Sequence, residues 1–128
     1  MKLLIQMNRN FINLCLFSVS LIVPLVFSAE KDINIAWCDS IGGEIEFRTK
    51  DGTYVDCLTD EYAIEVEYDY KWKEAIGQSL HYAESTNKKA GILFIKRKES
   101  KKDYFNEMLR VIEKYQLPIK IFVIEEES

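Results

Sequence analysis

The stretch Tyr62–Ala83, "YAIEVEYDYKWKEAIGQSLHYA", changes its period half-way. In Tyr62–Tyr68 apolar and charged residues alternate, so Ile64, Val66 and Tyr68 share one face of a strand and Glu65 and Glu67 the other. Beyond Asp69, residues Trp72, Ala75, Ile76, Leu80 and Ala83 recur at helical spacing. Asp69 is placed to cap that helix, which runs to about Thr86. A strand that leads straight into an amphipathic helix, and then into a second strand, predicts a crossover unit. Two acids on one strand face either hold a cation or look into water.

Upstream, "EIEFRT" (Glu44–Thr49) alternates like a half-buried strand, "KDG" (Lys50–Gly52) is a hairpin turn, and "TYVDCL" (Thr53–Leu58) is the return strand. "TDE" (Thr59–Glu61) links it to the third strand. Downstream, "NKKAG" (Asn87–Gly91) ends the helix and Gly91–Arg97 reads as a buried strand. A second helix covers about Lys102 to Tyr115, Pro118 stops it, and Ile119–Glu126 is a last strand. The predicted order is β-β-β-α-β-α-β, an α/β fold with a mixed sheet. "INIAWCDSIGG", before Glu44, fits neither period.

Residues 1–28 have the layout of a secretory leader: Lys2 and Arg9, an apolar run from Phe11 to Phe27, then Ser28 and Ala29. An uncleaved anchor is the main rival reading, and a cytosolic protein with a misread start is a third. With cleavage after Ser28, residues 29–128 form one domain, secreted or periplasmic, with no remaining membrane contact. The leader carries two bases and no acid, so its loss moves the net charge from −4 to −6. An acidic chain does not advertise nucleic-acid binding as a whole. Its charge is uneven, however. Glu44–Glu74 holds ten acids, and Lys88–Lys102 holds seven bases against Glu99. In an oxidising compartment Cys38 and Cys57 would bridge; otherwise they are two small buried thiols. His81 is the only histidine, which argues against zinc.

If the second and third strands pair, Asp56 meets Glu65 and Glu67, and such crowding is costly unless a cation neutralises it. Carboxylate oxygens suit Mg²⁺ or Mn²⁺. Glu44 is a candidate fourth ligand. Gln78 and Tyr82 lie one turn apart on the helix, with Lys71 earlier on the same stripe. Taken singly, each has an ordinary structural explanation: a solvated acid, a core tyrosine, a surface glutamine.

Asp56, Glu65-x-Glu67 and Gln78-x-x-x-Tyr82 together resemble the PD-(D/E)XK nuclease superfamily, in particular RecB-type nucleases with a Q-x-x-x-Y helix. The segment also resembles small exported bacterial proteins sharing "KW.EAIGQ.L.YA". The resemblance implies a restriction-endonuclease-like core and Mg²⁺ or Mn²⁺ on Asp56 and Glu65, with the Val66 carbonyl and Glu44 assisting. It gives Gln78 and Tyr82 an orienting role. The expected activity is phosphodiester hydrolysis. Glu67 stands where the superfamily usually has lysine, and Lys71 would replace that charge from the helix. Lys88, Lys89, Lys96, Arg97 and Lys98 would meet nucleic-acid phosphates without sequence preference. The alternative implied is a non-cutting relative that works through protein contacts outside the cytoplasm.

Overall fold

A computed structural model describes residues 29–127, so the expected leader lies outside the described residues. The element order is α1 (Ala29–Ser40), β1 (Glu44–Arg48), β2 (Tyr54–Leu58), β3 (Tyr62–Tyr68), a single 3-10 turn (Asp69–Lys71), α2 (Trp72–Thr86), β4 (Lys89–Lys96), α3 (Tyr104–Lys114) and β5 (Ile119–Glu125). The five strands form one sheet in sequence order, β1-β2-β3-β4-β5. The β1–β2 and β2–β3 pairs are antiparallel, and β3–β4 and β4–β5 are parallel. The protein is therefore a mixed α/β fold, as the change of period within Tyr62–Ala83 predicts.

The sheet buries both faces. On one, Ile64, Val66, Leu93 and Ile95 pack with Cys38 and Cys57, flanked by Trp37 and Phe122. On the other, Ile92 and Phe94 meet Trp72 and Ala75 of α2 and Met108 and Ile112 of α3. Glu65 and Glu67 lie opposite Ile92 and Phe94 in the β3–β4 register. The acid-bearing face of β3 thus turns towards the helices and away from water.

The segment that fits neither period forms α1. Its buried residues are Asn34 and Cys38, one turn apart, and neither is a large apolar side chain. A covalent and polar tie holds the helix down, alongside the partly buried Ile33 and Trp37. Cys38 and Cys57 are bridged, both with 0% exposure, and Asn34 Nδ2 donates to the Asp56 carbonyl at 2.9 Å. Gly43 runs under the bridge, where a Cβ would lie 2.6 Å from each sulfur.

Three local expectations need correction. Asp69 does not cap α2, since neither the 3-10 turn nor α2 has a side-chain cap. Its carboxylate is buried, at 1% exposure, and accepts from Arg97 Nε at 2.7 Å. β4 begins at Lys89 and ends at Lys96. The basic run consequently lies at both ends of that strand, about 23 Å apart at the usual rise per residue. Lys88 and Lys89 sit at one end, bonded to the Asp60 carbonyl and to Glu61. Lys96 and Arg97 sit at the other, paired with Glu125 and Asp69. The five expected phosphate-binding bases do not make one continuous patch. Among the described residues no helix is long and apolar enough to cross a membrane.

Candidate functional site

The site begins with an opening in the sheet. The β2–β3 ladder pairs Leu58 with Ala63 and Cys57 with Ile64, and goes no further. At the next position Asp56 Oδ2 accepts from the Val66 amide at 2.8 Å. The side chain thereby satisfies a donor that the ladder has released. Across from it, Glu46 of β1 has φ 52° and falls outside the paired register. The opening lets Asp56 approach Glu65 side chain to side chain.

Glu65 is 3% exposed, and its Oε2 atom is buried without a hydrogen-bond partner. Burial, and then the charge of Asp56, push its carboxyl up to about 9. Asp56 is also raised, by burial first, although the Val66 amide pulls the other way. Two adjacent buried carboxyls share a proton or share a cation; both cannot be bare anions.

Three further groups close the site. Glu67, buried at the rear of β3, accepts an ion pair from Lys71 at 3.5 Å. Glu67's charge in turn raises Lys71 above the usual lysine range. Glu30, in the first turn of α1, reaches the same place, where burial and then a hydrogen bond to Glu67 lift it to about 7. From α2, Gln78 Nε2 donates to the Tyr82 hydroxyl at 3.5 Å. Tyr82 packs with Val55 and Ala63. Its hydroxyl is pushed up to about 12 by burial and then by the charge of Glu65.

The structure therefore brings together Asp56, Glu65, Glu67, Lys71, Gln78 and Tyr82, and adds Glu30. The last was hidden in the leader-proximal segment, where nothing marked a helix. Glu44 is not brought in: it is exposed at the start of the edge strand β1, opposite Leu58. The cluster lies towards the carboxyl ends of the parallel strands β3 and β4, where open α/β sheets commonly bind ligands.

Among the described residues no group of three or more Asp, Glu, His or Cys side chains stands as a ready-made metal shell. Mg²⁺ rarely needs one, because it usually takes one or two carboxylates and completes its octahedron with water or phosphate. An all-oxygen donor set and an orphaned buried carboxylate oxygen fit such an ion.

Comparison with known proteins turns away from the nuclease resemblance. The chain is 37% identical over 93 residues to KilA-N domain-containing protein R878 of Acanthamoeba polyphaga mimivirus, covering 73% of this chain and 25% of that protein. It is 42% identical over 77 residues to KilA-N domain-containing protein L32 of the same virus, covering 60% of this chain and 20% of that protein. Protein L33 of that virus, also KilA-N domain-containing, is 34% identical over 93 residues, 73% of this chain and 37% of its own length. This chain thus spans about a fifth to two-fifths of the curated relatives it matches. No family model matches. No solved structure matches either.

These relatives overturn the expectation of an exported PD-(D/E)XK nuclease, and with it the non-cutting variant of the same idea. The similarity found runs to longer proteins of Acanthamoeba polyphaga mimivirus. A five-residue pattern scattered over a strand pair and a helix is short enough to arise without common descent. What survives the correction is the geometry of the side chains themselves, together with the disulfide.

Proposed function

We propose that this domain binds a divalent cation, Mg²⁺ or Mn²⁺, at Asp56 and Glu65, and uses it to engage a phosphate of nucleic acid. The observation that carries the reading is the orphaned, buried Glu65 Oε2 beside Asp56. A cation there replaces the proton that the pair otherwise has to retain. The bound ion supplies a positive charge that phosphate oxygens can share.

The chain's own residues have separable tasks. Asp56 and Glu65 are the ligands. Glu67 is held by Lys71 and receives a hydrogen bond from Glu30, so it tunes the negative potential next to the ion. Tyr82 and Gln78 form a polar wall and keep Glu65 in place from α2. Contact with phosphate is independent of base sequence, so affinity should fall as salt rises.

Thermal unfolding in EDTA and in rising Mg²⁺ or Mn²⁺ tests the proposal. A ligand that binds only the folded state raises the melting temperature in step with its concentration. Wild type should respond to either ion, while Asp56→Asn and Glu65→Gln should not. An equal response in both variants removes the reading.

A further inference from the structure

Beside the acid cluster stands a group of side chains that cation binding does not use. Tyr70, in the 3-10 turn between β3 and α2, is 46% exposed, a large value for an aromatic in the middle of the fold. The Arg97 guanidinium carbon lies 4.3 Å from its ring centroid. The Tyr68 ring lies 6.1 Å away and nearly parallel, at 20°. Lys71 Nζ is 5.8 Å from the Tyr70 ring while paired with Glu67, so one lysine touches both the platform and the acid cluster.

Arg97 is not a loose surface arginine. Its Nε donates to Asp69 Oδ1 at 2.7 Å, and Asp69 is almost wholly buried. A buried carboxylate of this kind sets the plane of the guanidinium. The turn therefore presents an aromatic ring with a fixed cationic group held over it. Beyond Asp69 a cleft of about 310 Å³ opens between the end of β4 and the start of α3, lined by Lys96, Lys101, Lys102 and Tyr104. Lys96 pairs with Glu125 on the surface, an ion pair that a phosphate can displace, while Lys102 pairs with Glu107 and lies 5.4 Å from the Tyr104 ring centroid.

We propose that Tyr70 and Arg97 form a stacking platform for an unpaired base of a single nucleic-acid strand, whose backbone passes from the cation site towards the lysine-lined cleft. This rests on the nucleic-acid reading above and names its substrate class. Exposed aromatic rings and guanidinium planes stack on unpaired bases without regard to sequence. A base inside a duplex already stacks on its neighbours and offers no free face. The order of groups (carboxylates, Lys71, Tyr70 with Arg97, then the cleft) matches alternating demands for phosphate neutralisation and base contact.

The test is fluorescence anisotropy of a labelled twelve-nucleotide single strand and of its blunt duplex, each in Mg²⁺ and in EDTA. Wild type, Tyr70→Ala and Tyr70→Phe are compared, with far-UV circular dichroism to confirm folding. Tyr70→Ala should weaken single-strand binding about tenfold, the scale of one lost base stack. Tyr70→Phe should keep wild-type affinity, and duplex binding should change little. Tyr70→Ala should also retain the wild-type Mg²⁺-dependent rise in melting temperature. Should that rise be absent in wild type while Tyr70→Ala still weakens single-strand binding in EDTA, the platform stands and the cation reading fails. The platform is overturned by wild-type affinity in Tyr70→Ala, by an equal loss in Tyr70→Phe, or by no single-strand binding in wild type.

Discussion

Replacing Glu65 with glutamine should stabilise the metal-free protein, and only at high pH. Glu65 is almost fully buried, and its carboxyl is raised from an ordinary value of 4.5 to about 9. The folded chain therefore keeps this proton up to about pH 9, whereas the unfolded chain releases it near 4.5. Between those values the folded state binds more protons, so stability is greatest below 4.5 and falls as pH rises towards 9. At 1.36 kcal/mol per unit, the loss at pH 7.5 is roughly 4 kcal/mol. Glutamine has nearly the same shape and no charge, so it escapes that loss. In EDTA at pH 7.5, Glu65→Gln should thus unfold at higher urea than wild type, by up to about 4 kcal/mol in stability. At pH 4.5 the two should coincide. Glu30, raised to about 7, contributes a slope of the same sign in both proteins and drops out of the difference. Urea titrations at pH 4.5, 6 and 7.5 decide the matter. A variant less stable than wild type at pH 7.5, or an offset that does not change with pH, would refute the reasoning.

Other outcomes follow from the same geometry. Reducing or removing the Cys38–Cys57 bridge should lower stability by about 3 kcal/mol, read by urea unfolding with and without reductant. Gly43→Ala should destabilise the oxidised protein strongly, because the new Cβ would press on both sulfurs; in a Cys38→Ala/Cys57→Ala background most of that penalty should vanish from the melting curve. Arg97→Ala leaves the Asp69 carboxylate buried without its partner, and should lower stability by about 3 kcal/mol by chemical denaturation, with Arg97→Lys recovering part of it.

The crossover unit was legible because Tyr62–Ala83 carries both periods in full. Side-chain alternation put Glu65 and Glu67 on one face, and helical spacing put Gln78 a turn before Tyr82. Helix α1 was illegible for a physical reason. Its buried positions are an asparagine and a bridged cysteine, and its apolar contacts, Ile33 and Trp37, are only two and partly buried, so the usual apolar signature is weak, and Glu30 was lost with it. Asp69 was misread because a carboxylate before a helix normally serves the helix. Here a partner 28 residues away, Arg97, claims it. The basic run looked like one patch in sequence although Gly91–Arg97 reads as a strand there; the observed strand starts two residues earlier, at Lys89, and its extended length carries the two ends of the run apart. The family resemblance failed differently: residue types that suit a chemistry do not certify an ancestry.

Asp56 serves two masters. Its carboxylate is half of the proposed cation pair, yet it also closes the seam where β2 and β3 part by receiving the Val66 amide. A truncation to alanine would strand that amide and confound lost binding with a loosened sheet. Asparagine retains an acceptor oxygen while discarding the charge, so at this one position the choice of substitute decides whether an experiment interrogates chemistry or merely architecture.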